Sequence, residues 1–173
     1  MELRILHGQS PYFEAARELY LAAFPPEERR DPEKMLVKSP AFRPGVLTEK
    51  GNFCGILFYW EGEDFLFLEH FAMAPHLRNG GLGSRALEKL KELGKKTVLE
   101  IELPVDDLTR RRKGFYERNG FLENPWHHIQ AKYRLGDEDL PLMLLSYPEM
   151  LTEEAWRGFE EFLRENVAVR SMP

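Results

Sequence analysis

The segment FAMAPHLRNGGLG, which runs from Phe71 to Gly83, joins a strand pattern to a helix pattern. Residues 65–73 are mostly apolar, as expected of a buried strand. After the glycines, apolar residues recur at helical spacing: Leu82, Ala86, Leu90 and Leu93. Glycines let the backbone turn tightly and expose N–H groups, and a helix N-terminus adds partial positive charge. The segment therefore predicts a pyrophosphate site, with an ordinary glycine turn as the alternative.

Two other phosphate-binding motifs do not fit this turn. A P-loop needs Lys followed by Ser or Thr after its last glycine, and here Ser84-Arg85 follows Gly83. The dinucleotide fingerprint needs a third glycine at GxGxxG spacing, and that glycine is missing.

Outward from the turn, strand and helix patterns alternate along the chain. Strands are predicted before it at 46–49, 52–60 and 65–73, and after it at 97–103, 126–133 and 140–147. Helices are predicted from Ser10 or Pro11 to about Pro25, over 33–37, after the glycines, over 109–119, and from a Thr152 cap onward. Because no linker or repeat interrupts the series, we predict one α/β domain over residues 1–173 with a mixed sheet.

Composition narrows the classes of function. The chain has 173 residues, 43% of them hydrophobic and 31% charged, with a net charge of -5. This balance argues against a general nucleic-acid binder, although Arg110 to Lys113 form a small basic run. A single cysteine, Cys54, favours a reducing, cytoplasmic compartment. With no apolar run of about 18 residues, we expect no membrane partner.

The hexapeptide RNGGLG, from Arg78 to Gly83, resembles the acetyl-CoA motif of the GNAT superfamily of N-acetyltransferases. A second segment, Gly114 to Phe121, is similar to the end of a helix in that family. The family pattern there is a tyrosine, an acidic residue, a basic residue, any residue, a glycine and a phenylalanine. Many family members carry Asn and Ala seven and four residues before this tyrosine, where the present chain has Thr109 and Arg112. The resemblance implies a GNAT-like mixed, mostly antiparallel central sheet with helices on both faces, and a homodimer is common in the family.

The resemblance also implies roles for residues of the site. Acetyl-CoA is the implied cosubstrate, with its pantetheine arm and thioester held by main-chain groups of Phe71 and Met73. Tyr116 is the implied general acid for the departing thiolate, and simple packing beside Phe115 and Phe121 is its alternative. The pyrophosphate would be held by the turn, through Arg78, Asn79, Gly80, Gly81, Gly83 and Ser84.

Glu69 is our candidate for the general base. It lies in a strand with two apolar faces, where a carboxylate is costly unless it is used or paired. Burial would raise its pKa toward neutrality, which suits a base. A salt bridge to a nearby arginine is the alternative reading, and Glu100 or a water relay is an alternative base. His70, expected to point to the other side of the strand, is the competing candidate, with a satisfied core histidine as its alternative.

Candidate acceptor residues follow from the next strand. Glu100 and Glu102 share one of its faces, where they would bind a cationic amine or relay its proton. His127 and His128 are further candidates for lining the acceptor site. We expect no metal, because the chain has no HExxH motif, no paired cysteines and only five histidines.

These features predict an acyltransferase that moves an acetyl group from acetyl-CoA to a primary amine of a small molecule or peptide, through a tetrahedral intermediate. One alternative is an acyl-CoA-binding sensor or partner module without chemistry. Another is acetylation of a macromolecular amine, such as a protein N-terminus or an aminoacyl-tRNA. The negative net charge of the chain disfavours the RNA substrate.

Overall fold

The computed structural model describes residues 1–168, which fall into two compact units, one from Met1 to Lys95 and one that begins at Lys96. The last five residues of the predicted single domain, 169–173, lie outside the described residues. Within residues 1–168, no helix is both long enough and apolar enough to cross a membrane.

The first unit contains four strands and two α-helices. The strands are β1 (Glu2–Ile5), β2 (Phe42–Glu49), β3 (Asn52–Glu61) and β4 (Phe65–Met73); the helices are α1 (Phe13–Ala23) and α2 (Leu82–Lys91). Each strand pairs antiparallel with the next in the order β1-β2-β3-β4. Helix α1 packs on β3 and β4, and α2 packs near β1. The predicted meander is confirmed.

Large apolar side chains hold this unit together. The most completely buried ones come from α1, β3 and β4: Tyr20, Phe58, Trp60 and Phe67. Burying an apolar side chain of this kind contributes about 1.5–3 kcal/mol each. The sheet is therefore fixed by packing on its helix-covered side as well as by its ladder of hydrogen bonds.

Strand β4 contains an irregularity of pairing that the apolar sequence pattern does not predict. His70 lies opposite Phe58 of β3, while Leu68 lies opposite the next residue, Tyr59. Glu69 is thus an extra residue on β4 with no partner across the ladder, which is the arrangement of a β-bulge. A bulge interrupts the alternation of side chains along a strand.

The second unit begins at Lys96. Its strands are β5 (Lys96–Glu102), β6 (Leu122–Glu123), β7 (His128–Ile129) and β8 (Pro141–Tyr147); its helices are α3 (Asp107–Arg118) and α4 (Glu153–Phe162), the latter followed by a π-helical turn, Leu163–Val167. Strand β8 pairs antiparallel with β5, β6 and β7. The predicted Thr152 cap is confirmed, because its hydroxyl accepts from Ala155 N at 3.2 Å.

Two element predictions are wrong. The strand predicted over 126–133 is reduced to the two residues of β7, because Tyr133 N and Arg134 N donate to the Asp137 carboxylate instead of to a ladder. The short helix predicted over 33–37 is a single 3₁₀ turn, Pro32–Lys34. The α/β class and the mostly antiparallel pairing are confirmed.

Candidate functional site

The glycine turn leads directly into α2. After β4, a 3₁₀ turn over Pro75–Leu77 brings the chain to Arg78 in an extended conformation. Asn79 and Gly81 then have positive φ angles of 65° and 75°, so the backbone is left-handed at two positions within three residues. Gly81 is the N-cap of α2, and no side chain caps the helix there. The N–H groups of the first turn of a helix are those that an anion can bind.

Open space lies in front of this turn. A β-carbon built on Gly81 would meet no atom within 4 Å, and Gly80 and Gly81 are exposed. Arg78 Nε donates to the main-chain oxygen of Met73 at 3.1 Å, which ties the turn to the end of β4. The structure thus joins, within one unit, two of the residues predicted to hold acetyl-CoA, Met73 and Arg78.

Glu69 lies in a buried polar cluster. Its side chain has 0% exposure and its Oε1 is 2.8 Å from Arg30 Nη2. Trp60 Nε1 donates to the Oε2 of the same carboxylate at 2.9 Å. The Arg30 guanidinium also lies over the Trp60 ring, 5.4 Å from its centroid. Such a carboxylate is paired with a cation and hydrogen-bonded, as a buried charge requires.

The predicted rise in the pKa of Glu69 is wrong. Burial acts to raise this pKa, but the charge of Arg30 and the neighbouring His70 outweigh it and hold the pKa well below its usual range. The alternative reading, a salt bridge to a nearby arginine, is the one observed. Glu69 is consequently an ionised, weakly basic carboxylate, and its role as general base stays a prediction.

The predicted placement of His70 is also wrong. Its Nδ1 lies 3.5 Å from Glu69 Oε2, so the two side chains meet instead of pointing to opposite sides of β4. The bulge at Glu69 is the reason, since it breaks the two-residue period of the strand. His70 Nε2 is 3.0 Å from the main-chain oxygen of Glu28, which attaches the segment after α1 to β4.

Tyr116 lies near the C-terminal end of α3 and is buried. Its ring packs edge-on against Phe115 at 5.2 Å and Phe121 at 5.7 Å, measured between centroids. Burial raises the pKa of Tyr116 well above its ordinary value, while the charge of Arg112 acts to lower this pKa and that of Glu102 to raise it. The phenol is therefore protonated at neutral pH, as a proton donor must be.

The two departures from the family pattern have structural roles in α3. Thr109 and Asp106 form a reciprocal capping box at the start of the helix, in which Thr109 N donates to Asp106 Oδ1 at 2.8 Å. The Thr109 hydroxyl is thus engaged in the cap. Arg112 forms an ion pair with Glu102 of β5.

The acidic residues of β5 are both paired. His128 Nε2 lies 2.5 Å from Glu100 Oε1, and His128 Nδ1 lies 2.5 Å from Glu160 Oε1 on α4. Burial acts to lower the pKa of His128, but the hydrogen bonds to the two carboxylates outweigh it and raise the pKa to about 9. The ring therefore carries a positive charge at neutral pH.

The structure separates the two histidines named as acceptor candidates. His128 meets Glu100, whereas His127 is exposed, and its role at an acceptor site stays a prediction. Glu100 is paired with His128, a cation that it shares with Glu160, and Glu102 is paired with Arg112. Both carboxylates predicted to bind a cationic amine are therefore already engaged with a cation of the chain itself.

Three residues of these clusters were not singled out from the sequence. Arg30 follows an exposed acidic stretch, Trp60 stands in an apolar strand, and Glu160 lies on a charged helix, so none has a local signal. Only a pairing argument could have found them: each buried charge or polar group requires a partner somewhere in the fold.

Comparison with known proteins shows which protein family the chain resembles. A model of the acetyltransferase (GNAT) family matches residues 11–121. A protein from Bacteroides thetaiotaomicron, assigned to the GNAT family, is 31% identical in sequence; the alignment covers 98% of this chain and 100% of that one, with a TM-score of 0.89. The predicted GNAT-like fold is confirmed by this likeness.

Two further relatives are similar over less sequence or at lower identity. YjbC of Bacillus subtilis (strain 168), assigned as an acetyltransferase, is 32% identical over 95 residues, and the match spans 49% of each chain. The present chain thus covers about half the length of that curated relative. A GNAT acetyltransferase from Elizabethkingia anophelis, solved with acetyl-CoA bound, shares the fold at 15% identity, covering 84% of this chain and 95% of that one, with a TM-score of 0.56.

The family match extends over more than half of the chain and includes both the glycine turn and the Tyr116 segment. The chain therefore belongs to the GNAT family of acetyltransferases.

Proposed function

We propose that this chain is an N-acetyltransferase that moves the acetyl group of acetyl-CoA to a primary amine of a small molecule or peptide, by direct transfer through a tetrahedral intermediate. The observation that carries the proposal is the exposed turn at Gly80 and Gly81, which opens α2 without a side-chain cap. Family membership supplies the reaction class. We further propose that residues 1–173 act as one catalytic domain, because the family match runs continuously from residue 11 to residue 121.

Each step of the reaction has a candidate group. The pyrophosphate of acetyl-CoA would accept hydrogen bonds from the turn and the start of α2, including Gly81, Gly83 and Ser84. Main-chain groups of Phe71 and Met73 would orient the pantetheine arm. Tyr116, which burial keeps protonated, would protonate the departing thiolate.

The base and the acceptor are less constrained. Glu69 is ionised, but its carboxylate is held by Arg30 and Trp60. We therefore propose that the amine proton does not pass directly to Glu69. It either reaches Glu69 through water or is accepted by another group. Glu100 and Glu102 each already have a cation of the chain as partner, so the proposal assigns no particular charge to the acceptor. Cytoplasmic location stays a prediction from the single cysteine, Cys54, which is buried.

The first test is calorimetric titration with acetyl-CoA. Gly81→Asp places a carboxylate in front of the helix N-terminus, so we expect acetyl-CoA affinity to fall by roughly tenfold or more, about 1.4 kcal/mol. Gly51→Asp is the matched control: it has a similar φ of 80° and open space, but it lies in the β2–β3 hairpin. Equal losses in both variants, or none in Gly81→Asp, would remove the turn from the cofactor site.

Turnover separates an enzyme from a binding module. Release of the CoA thiol would be followed with spermidine, an aminoglycoside and an alanine-initiated peptide as amine probes. Binding of acetyl-CoA with no turnover of any amine probe would favour the sensor alternative.

A further inference from the structure

We infer that Arg112, held in place by its ion pair with Glu102, polarises the Tyr116 hydroxyl and is a positioning residue that helps this hydroxyl to protonate the thiolate of CoA. The inference rests on the proposed function, in which Tyr116 is the general acid. It concerns a residue of this chain that replaces a small residue of the family pattern.

The geometry of the second unit places these groups together. Arg112 and Tyr116 are four residues apart on α3, so they lie on the same face of the helix one turn apart. Helix α3 packs on β5, and Arg112 reaches β5 through its ion pair with Glu102. The side chains of Arg112 and Glu102 are only 39% and 30% exposed, and Tyr116 is buried. Charges in such a setting are screened less than on an open surface.

The two charges act on Tyr116 in opposite directions. The positive charge of Arg112 favours the phenolate and lowers the pKa of Tyr116, whereas the negative charge of Glu102 raises this pKa. Burial alone would leave a phenol that is a poor acid. Arg112 offsets part of that penalty, and Glu102 holds the guanidinium in place.

When the tetrahedral intermediate collapses, its oxyanion re-forms the carbonyl, the carbon–sulfur bond breaks, and the electron pair of that bond goes to sulfur. The Tyr116 O–H bond breaks and an S–H bond forms. The amine nitrogen loses one proton to water, and the transient phenolate takes one proton from water, so no net charge is left. Arg112 stabilises that phenolate by its charge, so the Tyr116 hydroxyl becomes a stronger hydrogen-bond donor to the thiolate of bound CoA.

This last consequence gives a test that needs no acceptor amine. The apparent pKa of the thiol of bound CoA would be measured from the ultraviolet absorbance of its thiolate, with CoA itself as the probe. Arg112→Met should raise this pKa by about one pH unit, and Glu102→Gln should lower it. Arg112→Lys keeps the charge and should stay near the wild type. Arg110→Met removes an exposed arginine two residues away on α3 and serves as the control.

A double variant shows whether Arg112 acts through Tyr116. Tyr116→Phe alone should raise the pKa of the bound thiol, and adding Arg112→Met should then have much less effect than it has in the wild type. If Tyr116→Phe leaves the pKa unchanged, the general-acid role fails and the inference fails with it. If Tyr116→Phe raises it but Arg112→Met changes nothing, matches Arg110→Met, or acts equally with and without Tyr116, the inference alone is overturned.

Discussion

Glu69 is a carboxylate removed entirely from solvent, and its neighbours decide its charge. Taking an ionised carboxylate out of water costs several kcal/mol, which is about enough to neutralise it unless a cation is held close by. Arg30 meets this requirement at 2.8 Å, and Trp60 adds a hydrogen bond to the second oxygen. A separate hydrogen bond from the main chain attaches the segment that follows α1 to that helix, because Arg30 N donates to the Tyr20 hydroxyl at 2.9 Å.

Removing one partner of this pair should be costly. Arg30→Met leaves the Glu69 charge buried without the cation that faces it, so we expect the free energy of unfolding to fall by about 3–5 kcal/mol in urea titrations. Arg30→Met combined with Glu69→Gln removes both charges and should recover a large part of that loss. Arg29→Met, which removes a guanidinium that donates to the main-chain oxygen of Phe24, is the neighbouring control. A double variant as unstable as Arg30→Met would show that packing of Arg30, not its charge, sets the stability.

At the scale of elements, α3 depends on how its first turn is satisfied. The Thr109 hydroxyl accepts from Asp106 N at 3.1 Å and lies 2.8 Å from the Asp106 carboxylate. Thr97, on β5, has a buried hydroxyl with no hydrogen-bond partner among the described residues. Replacing Thr109 or Thr97 by valine therefore removes a hydroxyl that is hydrogen-bonded in the first case and, within residues 1–168, has no such partner in the second.

Replacing each threonine by valine should have opposite effects. Thr109→Val breaks the capping box and should lower the free energy of unfolding by about 1 kcal/mol. Thr97→Val removes an unsatisfied buried hydroxyl and should be neutral or stabilising. Urea titration of both variants checks the pair. A loss in Thr97→Val as large as that in Thr109→Val would mean that hydroxyl pairing does not decide the outcome.

Elements whose cause is local were predictable from the sequence. The turn at Asn79 and Gly81 and the Thr152 cap follow from the conformational and hydrogen-bonding properties of those residues themselves. The bulge at Glu69 was not predictable, because strand register is set by pairing with β3, and no residue of β4 signals it. The Arg30 partner of Glu69 was missed for the same reason, since it arrives from a distant segment.

At the scale of the whole molecule, two buried groups make stability depend on pH from opposite sides. The pKa of Glu69 is lowered on folding, so its contribution is present above the ordinary value of 4.5 and is lost as pH falls toward the folded value. The pKa of His128 is raised from 6.5 to about 9, so its contribution is fully present below pH 6.5 and is lost as pH rises through 9. For these two groups together, stability should be greatest between pH 4.5 and 6.5.

His128→Gln isolates the alkaline side of this profile. The wild type should lose on the order of 2–3 kcal/mol of unfolding free energy between pH 6.5 and 9, because over this range the folded state still holds, between Glu100 and Glu160, a proton that the unfolded state has released. The variant should show a much flatter profile over that range, whatever its stability at a single pH. His127→Gln changes the exposed neighbour and should keep the wild-type slope. An unchanged alkaline slope in His128→Gln would mean that the charged imidazole between β5 and α4 does not govern this dependence, and that another group releases the proton.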